Sequence, residues 1–207
     1  MRKIALLGAS GHGKVVADMA LLLGYQDISF YDDAWPKITE NSHWPVVGNT
    51  DLLLRNLNQY DGVVVTIGDC VIRLKKHHTL QEAGARLVSL VHPRAWISHF
   101  SSLGAGSVLM AGAYVNIDSA IGQACIINTG ATVDHDCKLF DGVHISPGAN
   151  LSGGVIVLEG AWVGVGASIR EGIEIGSYAI IGAGSAVTKS IDDDVIVVGN
   201  PAKVKPT

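Results

Sequence analysis

Aliphatic residues recur at every sixth position through the second half of the chain. From Val91 to Val187, each sixth residue is Ile, Leu or Val. A small residue usually stands two positions before each of them, and glycine often stands one position earlier still, as in Gly148, Ala149 and Leu151. Such a short fixed period predicts stacked identical units and is typical of a left-handed parallel β-helix built from hexapeptide repeats. An amphipathic helix would need apolar spacings of three and four instead.

Each six-residue unit is expected to form one face of a triangular prism, so three units complete one coil. The repeating aliphatic and small residues then point inward, and Cys125 and Cys137 are interpreted as core residues rather than metal ligands. Neither His135 nor His144 occupies an inward position, so both are predicted to reach the outer surface. They are half a coil apart, and a single site that uses both would need two subunits.

Residues 1 to about 88 follow a different pattern. The stretch "KIALLGASGHGKVVADMALLLGY" predicts a buried strand, a glycine-rich turn and a helix that ends near Gly24, and "DISFYDD" predicts a second strand. A third strand is predicted in "GVVVTIGD" and a further helix in "VIRLKKHHTLQEAG". The alternation predicts a Rossmann-like α/β domain with a mostly parallel sheet. We therefore expect a Rossmann-like domain over 1–88 and a β-helix domain with a C-terminal tail over 89–207.

The glycine-rich turn at 8–13 partly matches a dinucleotide-binding fingerprint. Ser10 stands where G-x-G-x-x-G has its middle glycine, and Lys14 is not followed by the Ser or Thr of a Walker loop. Amides at the helix N-terminus can approach a phosphate or a sugar edge, which makes Ser10, Gly11 and His12 candidate substrate-binding residues. A purely structural turn is the alternative interpretation.

Polar residues follow the next two strands of the predicted sheet. Asp32 and Asp33 end the second strand, where they could accept hydrogen bonds from a ribose or a base, and Gly68 lies in the "IGD" that ends the third. Since the carboxyl ends of parallel strands share one edge, these residues and the turn favour a small nucleotide ligand. Solvated loop acids are the alternative interpretation of the two aspartates.

Composition excludes several classes of partner and compartment. The net charge of −4 in 207 residues and the lack of a Lys/Arg-rich run argue against nucleic acid. No apolar run approaches the roughly 20 residues of a membrane span, and the apolar start is too short for a secretory signal. Three cysteines without CxxC spacing indicate a reducing, cytoplasmic location.

Several motifs together resemble a known family. The opening "LLGASGHGKVVAD", then "LVHPRAWIS", "NTGATVDHDCKLFDGVHISPGA" and the closing "VVGNPAKV" make the chain similar to bacterial sugar acetyltransferases. These enzymes act on sialic acid or on nucleotide-linked amino sugars such as UDP-4-amino-4,6-dideoxy-N-acetylglucosamine. The resemblance implies a homotrimer, acetyl-CoA as donor, active sites between neighbouring β-helices, and an acceptor held partly by the N-terminal domain. No metal is expected.

The resemblance also implies roles for particular residues. The catalytic base falls on His135 and its orienting carboxylate on Asp136, where many relatives have Glu; Asp134 is an alternative orienting group. Asn128 matches an active-site asparagine that contacts the substrate. The residues expected to bind acetyl-CoA are His144, Gly153, Asn200, Pro201 and Lys203.

The chemistry of acetyl transfer requires such groups independently. An amine or hydroxyl that attacks a thioester must lose a proton, and imidazole, with an ordinary pKa of about 6.5, can accept it near neutral pH. The expected reaction is transfer of acetyl to the amino group of a nucleotide-linked amino sugar for bacterial surface glycans. The alternatives are O-acetylation of sialic acid, a metal-dependent enzyme of the same fold, and a protein that only binds nucleotide sugars. A metal site would require a third histidine, and His99 lies two coils below His135.

Overall fold

The computed structural model describes residues 1–205. It contains two compact units, Met1–Leu90 and Val91–Thr207, and the last two residues of the second unit lie outside the described part. Among residues 1–205, none of the helices has the length and apolar character needed to cross a membrane. The roles that the resemblance implies for the two domains, nucleotide-sugar binding over 1–88 and acetyl transfer over 89–207, stay predictions.

The first unit is a five-stranded sheet with three α-helices. The elements are Arg2–Leu7 (β1), Gly11–Leu22 (α1), Tyr25–Tyr31 (β2), Glu40–Asn41 (β3), Trp44–Gly48 (β4), Thr50–Arg55 (α2), a 3₁₀ turn at Leu57–Gln59, Gly62–Val65 (β5) and Cys70–Glu82 (α3). The strand order is β3-β4-β2-β1-β5, and all neighbouring strands are parallel except β3 and β4.

The centre of this sheet is buried on both faces. Ile4 to Leu7 of β1 and all four residues of β5 are buried, as expected for parallel strands covered by helices. The Rossmann-like order of strand, turn, helix and strand is therefore confirmed. The short hairpin of β3 and β4 and the helix α2 lie in a part of the chain for which the sequence pattern predicted no element.

The second unit consists of very short strands connected by two-residue turns. They are Leu90–Val91 (β6), Trp96–Ile97 (β7), Ser102–Leu103 (β8), Val108–Leu109 (β9), Tyr114–Val115 (β10), Ala120–Ile121 (β11), Ile126–Ile127 (β12), Thr132–Val133 (β13), Lys138–Leu139 (β14), His144–Ile145 (β15), Asn150–Leu151 (β16), Ile156–Val157 (β17), Trp162–Val163 (β18), Ser168–Ile169 (β19), Glu174–Ile175 (β20), Ile180–Ile181 (β21), Ala186–Val187 (β22), Ile196–Val198 (β23) and Lys203–Val204 (β24).

These strands stack into three faces of a prism. An eight-stranded face runs from β6 through every third strand to β21 and ends with β23 and β24; a six-stranded face runs from β7 to β22, and a five-stranded face from β8 to β20. Tyr114 pairs with Thr132, and Thr132 with Asn150, so one coil is eighteen residues. The period of six in the sequence therefore corresponds to one face, as predicted.

The inside of the prism is filled by the repeating aliphatic and small residues. Val133, Ile145 and Val163 are fully buried, and so are the small residues Ala131 and Ala149. Cys125 and Cys137 belong to the same core and form no disulfide. The aliphatic positions are continuous from coil to coil, so the prism has one unbroken apolar interior.

Candidate active site

His135 and Asp136 form the two-residue turn between β13 and β14, at the corner where the six-stranded face meets the five-stranded face. Asp136 has a φ of 59°, in the left-handed region that Asp and Asn tolerate better than most residues. The equivalent residues in the next two coils are Gly154 and Gly172, which also have positive φ. The turn therefore accepts an aspartate here and places its carboxylate beside the histidine.

The carboxylate of Asp136 holds the imidazole of His135. Asp136 Oδ2 lies 2.7 Å from Nδ1, which donates the hydrogen bond because a carboxylate only accepts. The hydrogen bond to Asp136 and the charge of Asp134 raise the pKa of His135 above its ordinary value. In the neutral ring, Nε2 then carries the lone pair. The His135 side chain is 57% exposed, which confirms that it reaches the outer surface.

Asp134 accepts a hydrogen bond from the backbone of the turn and not from the imidazole ring. Its Oδ1 accepts hydrogen bonds from the backbone N–H of His135 at 2.8 Å and from Nδ2 of Asn116 at 2.8 Å. The hydrogen bonds from Asn116 and His135 lower the pKa of Asp134, so it stays ionised. Asn116 was not among the residues selected from the sequence, although it lies one coil below Asp134 at the same position. That spacing was a signal that could have identified it.

A shallow cavity lies on the six-stranded face next to this turn. Its volume is about 260 Å³, and its lining is mostly polar: Tyr114, Asn116, Thr132, Asp134, Asn150, Leu151 and Ser152. Tyr114 stacks on Trp96 with ring centroids 6.1 Å apart. An exposed aromatic surface and hydrogen-bonding groups therefore adjoin the His135 corner.

His144 lies on another side of the prism and is not exposed. It belongs to β15 on the eight-stranded face, so the expectation that the two histidines face different sides is confirmed. The prediction that His144 reaches the outer surface is wrong, since only 7% of the residue is exposed. The cause is Trp162, one coil above, whose ring stacks on the imidazole with centroids 5.2 Å apart and planes 11° apart. Trp162 is itself fixed by a hydrogen bond from Nε1 to Ser146 Oγ.

Asn128 is brought together with His144 within this chain. Its Nδ2 lies 3.2 Å from Nε2 of His144, and its Oδ1 accepts the backbone N–H of Thr129. Asn128 precedes the turn between β12 and β13, whereas His135 follows β13. The sequence-predicted residues of the β-helix thus form one group around His135 and another around His144.

The C-terminal segment folds back along the last coils. Strand β24 pairs antiparallel with β23, and the Ala202 N–H donates to the carbonyl of Ala186. Pro201 and Lys203, two of the residues expected to bind acetyl-CoA, line a cavity of about 190 Å³ together with Lys189. Asn200 is exposed beside them. Two lysines therefore flank this cavity.

In the first unit, Asp32 fixes the glycine-rich turn. Its Oδ2 accepts the Ala9 N–H at 2.8 Å, and its Oδ1 accepts the Ala34 N–H at 2.9 Å. Ser10 and Gly11 are exposed at the start of α1. The structure gives Asp32 a role in shaping the loop that sequence patterning did not foresee.

His12 and Gly68 lie around the buried guanidinium of Arg73. Arg73 is 1% exposed and donates from Nη1 to the carbonyls of Ile67 and Gly68. Burial, with the positive charge of Arg73, lowers the pKa of His12 to about 4, so its ring is neutral at neutral pH. Nε2 of His12 is buried and has no hydrogen-bond partner among the described residues. It can therefore bond to a ligand.

Asp33 belongs to a small polar network at the same edge of the sheet. Its carboxylate accepts hydrogen bonds from Thr50 and lies 2.6 Å from Nζ of Lys76. Burial opposes ionisation, but the bonds from Lys76 and Thr50 prevail and lower the pKa of Asp33 to about 2. Asp33 is therefore an ionised acceptor with half of its side chain exposed.

Metal binding was the rival chemistry for the histidines. Across residues 1–205, no three His, Cys, Asp or Glu side chains come close enough together to hold an ion. The His135 and Asp136 side chains pair with one another instead. Within one chain, this geometry is that of an imidazole base with an orienting carboxylate.

Known proteins are similar to this chain over both units. Residues 3–80 match the family model of the PglD N-terminal domain. The acetyltransferase domain of PglB from Neisseria gonorrhoeae FA1090, solved with acetyl coenzyme A, is 42% identical with a TM-score of 0.93, and the match covers 99% of each chain. The match thus includes both units.

Two further solved structures are similar over nearly the whole chain. A histidine-to-asparagine variant of perosamine N-acetyltransferase from Caulobacter crescentus, in complex with CoA and GDP-perosamine, is 38% identical with a TM-score of 0.94, covering 100% of this chain and 98% of that one. WeeI from Acinetobacter baumannii AYE is 29% identical with a TM-score of 0.88, covering 99% and 100%.

These likenesses confirm the left-handed β-helix and the expected acetyl-CoA chemistry. The identities of 42% and 38% to the first two structures extend over both units. The chain belongs to the PglD-like family of acetyl-CoA-dependent sugar N-acetyltransferases, which have a Rossmann-like N-terminal domain and a hexapeptide β-helix.

Proposed function

We propose that this chain transfers the acetyl group of acetyl-CoA to the amino group of a nucleotide-linked amino sugar, of the UDP-4-amino-4,6-dideoxy-N-acetylglucosamine type, in the synthesis of bacterial surface glycans. The observation that carries the proposal is the 2.7 Å contact between His135 Nδ1 and Asp136 Oδ2 on an exposed corner. A histidine fixed in this way presents Nε2 as a general base.

In the proposed reaction, the sugar nitrogen attacks the carbonyl carbon of the thioester and gives a proton to Nε2 of His135. Asp136 stabilises the imidazolium that forms. The tetrahedral intermediate carries an oxyanion, which a donor such as the His144 side chain would stabilise. Collapse of the intermediate breaks the C–S bond, and the departing sulfur takes the proton from His135. The products are the N-acetylated sugar and CoA.

A nitrogen acceptor is favoured over the oxygen of sialic acid by the relatives. The C. crescentus enzyme is a perosamine N-acetyltransferase solved with CoA and GDP-perosamine. An amino group, a nucleotide and CoA are all present in that complex. The metal-dependent and binding-only alternatives lack comparable support.

We propose that the enzyme is a homotrimer in the cytoplasm. His135 and the pair of Asn128 and His144 lie on different sides of one prism, so one active site is complete only when the His135 corner of one chain meets the His144 side of its neighbour. Trp162 and Ile180 on the eight-stranded face are 38% and 37% exposed, which suits a subunit contact. Three cysteines without a disulfide fit a reducing compartment.

The C-terminal segment would hold the CoA part of the donor. Pro201 and Lys203 lie with Lys189 around one cavity, exposed Asn200 directly precedes them, and lysine is a common partner of phosphate. His144 would lie nearer the acetyl group, and Gly153 lies beside the His135 ring. This arrangement separates donor binding, in the second unit, from nucleotide binding.

The nucleotide part of the acceptor would bind in the first unit. Ser10 and Gly11 open helix α1, whose N-terminus favours a phosphate. Asp33, together with Asp32 and the backbone around Gly68, would accept hydrogen bonds from ribose or base, and neutral His12 would supply one more polar atom. Contacts to the nucleotide base and to the sugar would determine which acceptor the enzyme uses.

A thiol-release assay with acetyl-CoA against UDP-, GDP- and CMP-linked amino sugars and free sialic acid tests the proposal. We expect CoA release with one class of nucleotide-linked amino sugar and a product of acetamide type by mass spectrometry. Light scattering of the same preparation should give the mass of three chains. Release with sialic acid alone, or tight sugar binding without CoA release, would contradict the proposed reaction.

Replacing Gly11 with valine should raise the KM for the acceptor while the KM for acetyl-CoA is unchanged. A Cβ at Gly11 would meet no protein atom within 4 Å, so the fold tolerates the change and only a close ligand is displaced. Gly13→Ala is the contrasting variant. Its Cβ would lie 2.5 Å from the Gly8 carbonyl oxygen and 2.8 Å from the Phe30 ring, so it should lower the melting temperature.

Steady-state kinetics with each substrate varied in turn, and thermal melts of both variants, check this prediction. Unchanged acceptor kinetics in a folded Gly11→Val enzyme would leave the turn with a structural role only.

A further inference from the structure

Gly153 departs from the pattern of glycines in the β-helix. In the two-residue turns, glycine with positive φ is common at the second position, as at Gly148 and Gly154. Gly153 is at the first position, and its φ lies outside the left-handed region. From 105 to 183, the other first positions carry side chains: Ala105, Ala111, Ile117, Gln123, Thr129, His135, Asp141, Pro147, Glu159, Val165, Glu171, Ser177 and Ala183. The backbone of the turn therefore gives no reason for glycine at 153.

The neighbour that requires the missing side chain is the imidazole of His135. Gly153 lies one coil above His135, and the Gly154 N–H donates to the His135 carbonyl at 2.8 Å. A Cβ on Gly153 would lie 2.5 Å from Cε1 and 2.6 Å from Nε2 of the ring. Carbon atoms do not approach this closely without a shift. The ring thus occupies the space that any other residue at 153 would fill.

This contact differs from those of Gly104 and Gly164, two other tightly packed glycines in the prism. A Cβ on Gly104 or Gly164 would meet backbone atoms of the next coil at 2.4 and 2.5 Å, so these glycines are needed for coil stacking. At Gly153, the three nearest atoms all belong to the His135 ring. A substitution there would displace one exposed side chain and leave the coil in place.

We propose that Gly153 is a positioning residue that seats the His135 imidazole against Asp136, an inference that rests on the proposed role of His135 as the base. With glycine, the ring fits beside residue 153 of the next coil, Nδ1 reaches Asp136, and Nε2 is free of a neighbouring methyl group. With alanine, the ring must swing away from Asp136 or lose access to Nε2. Both outcomes reduce proton transfer while the acetyl-CoA site is left unaltered.

The test is the Gly153→Ala enzyme, measured by histidine-labelled NMR and by steady-state kinetics. The signal of His135 is assigned by its loss in His135→Ala. We expect the pKa of His135 to fall towards the ordinary value of about 6.5 and kcat to fall roughly 10- to 100-fold, the cost of a misplaced catalytic group. The KM for acetyl-CoA should be unchanged. Glu171→Ala, at the same turn position one coil higher, is the control and should alter neither the pKa of His135 nor kcat.

Three other outcomes are informative. A higher KM for acetyl-CoA with unchanged pKa and kcat would overturn the inference and leave Gly153 as a donor-binding residue. An unaltered enzyme would overturn it as well. A lower pKa of His135 with unchanged kcat would support the seating of the ring by Gly153 but contradict the proposed role of His135 as the base. Circular dichroism of Gly153→Ala distinguishes these results from misfolding, and Gly153→Ser provides a second variant with the same obstruction.

Discussion

His135→Ala should lower kcat by roughly 10²- to 10⁴-fold, the usual contribution of a general base. The reason is that Nε2 of this ring is the proposed proton acceptor, and the neighbouring Asp134 is engaged in other hydrogen bonds. Asp134 in particular is held by Asn116 and the His135 backbone, which lower its pKa. It cannot replace imidazole near neutral pH. Stopped-time assays with saturating acetyl-CoA and acceptor measure the effect.

The fold should survive this substitution. The His135 side chain is 57% exposed, and the backbone bonds of its turn, from Asp136 N–H to the Ile117 carbonyl and from Gly154 N–H to the His135 carbonyl, do not involve the ring. The variant should therefore have the circular dichroism spectrum, oligomeric mass and acetyl-CoA affinity of the original protein. A folded His135→Ala enzyme with full activity would refute the assignment and transfer the proton step to another group.

Asp136→Asn is the matched variant, because it keeps the shape of the turn and removes the charge. Its hydrogen bond is the main cause of the raised pKa of His135, so the pKa should fall in this variant. The base works only when deprotonated, and the rate therefore declines as pH drops through the pKa of His135. The acidic limb of the pH profile should lie above about 6.5 in the original enzyme and move to lower pH in Asp136→Asn. The loss in kcat should be smaller than for His135→Ala, since the base remains.

Local repetition explains why the β-helix could be predicted from sequence. Each face takes six residues and each coil contacts only its neighbours, so inward positions such as Val133 and Ala149 are identified by counting alone. The exposed location of His135 follows from the same count. The same count does not predict that the ring bonds to Asp136 and not to Asp134. That choice depends on the left-handed φ of Asp136 and on the hydrogen bonds that Asp134 makes elsewhere.

The burial of His144 could not be obtained from its own position in the repeat. An outward residue is covered or exposed according to the side chain eighteen residues later, which here is Trp162. The same relation connects His135 with Gly153, where the later residue lacks a side chain and the ring stays accessible. Comparing outward positions one coil apart would have identified both features.

The first unit was predictable only in part, for a different reason. The strands and helices with strong apolar runs were found, but β3, β4 and α2 have only two, five and six residues and no clear periodicity. Asp32 was selected as a ligand group, and its two oxygens also accept hydrogen bonds from the backbone N–H groups of Ala9 and Ala34. Ala9 is 23 positions from Asp32, and a hydrogen bond over such a separation cannot be derived from local pattern.

Adjacent isoleucines of β21 provide the sharpest test of the prism itself. Ile181 is fully buried in the core, whereas Ile180 is 37% exposed on the eight-stranded face. Ile181→Ala should lower the free energy of unfolding by about 2–5 kcal/mol, since it removes buried carbon and leaves a cavity between rigid coils. Ile180→Ala should cost about 0.5 kcal/mol or less in an isolated chain. Urea unfolding followed by circular dichroism measures both values.

The comparison between Ile180 and Ile181 also tests the proposed trimer, because the two losses should depend differently on protein concentration. A cavity inside the prism costs the same at every dilution, so the effect of Ile181→Ala should not change. If the eight-stranded face contacts a neighbouring chain, the cost of Ile180→Ala appears only where that contact forms, and the variant should dissociate at higher concentration than the original protein. Equal losses for the two variants would contradict the inward and outward assignment of β21. If the loss of unfolding free energy in Ile180→Ala does not depend on protein concentration, the subunit contact lies on another face. The site formed by His135 and His144 of neighbouring chains would then have to be reconsidered.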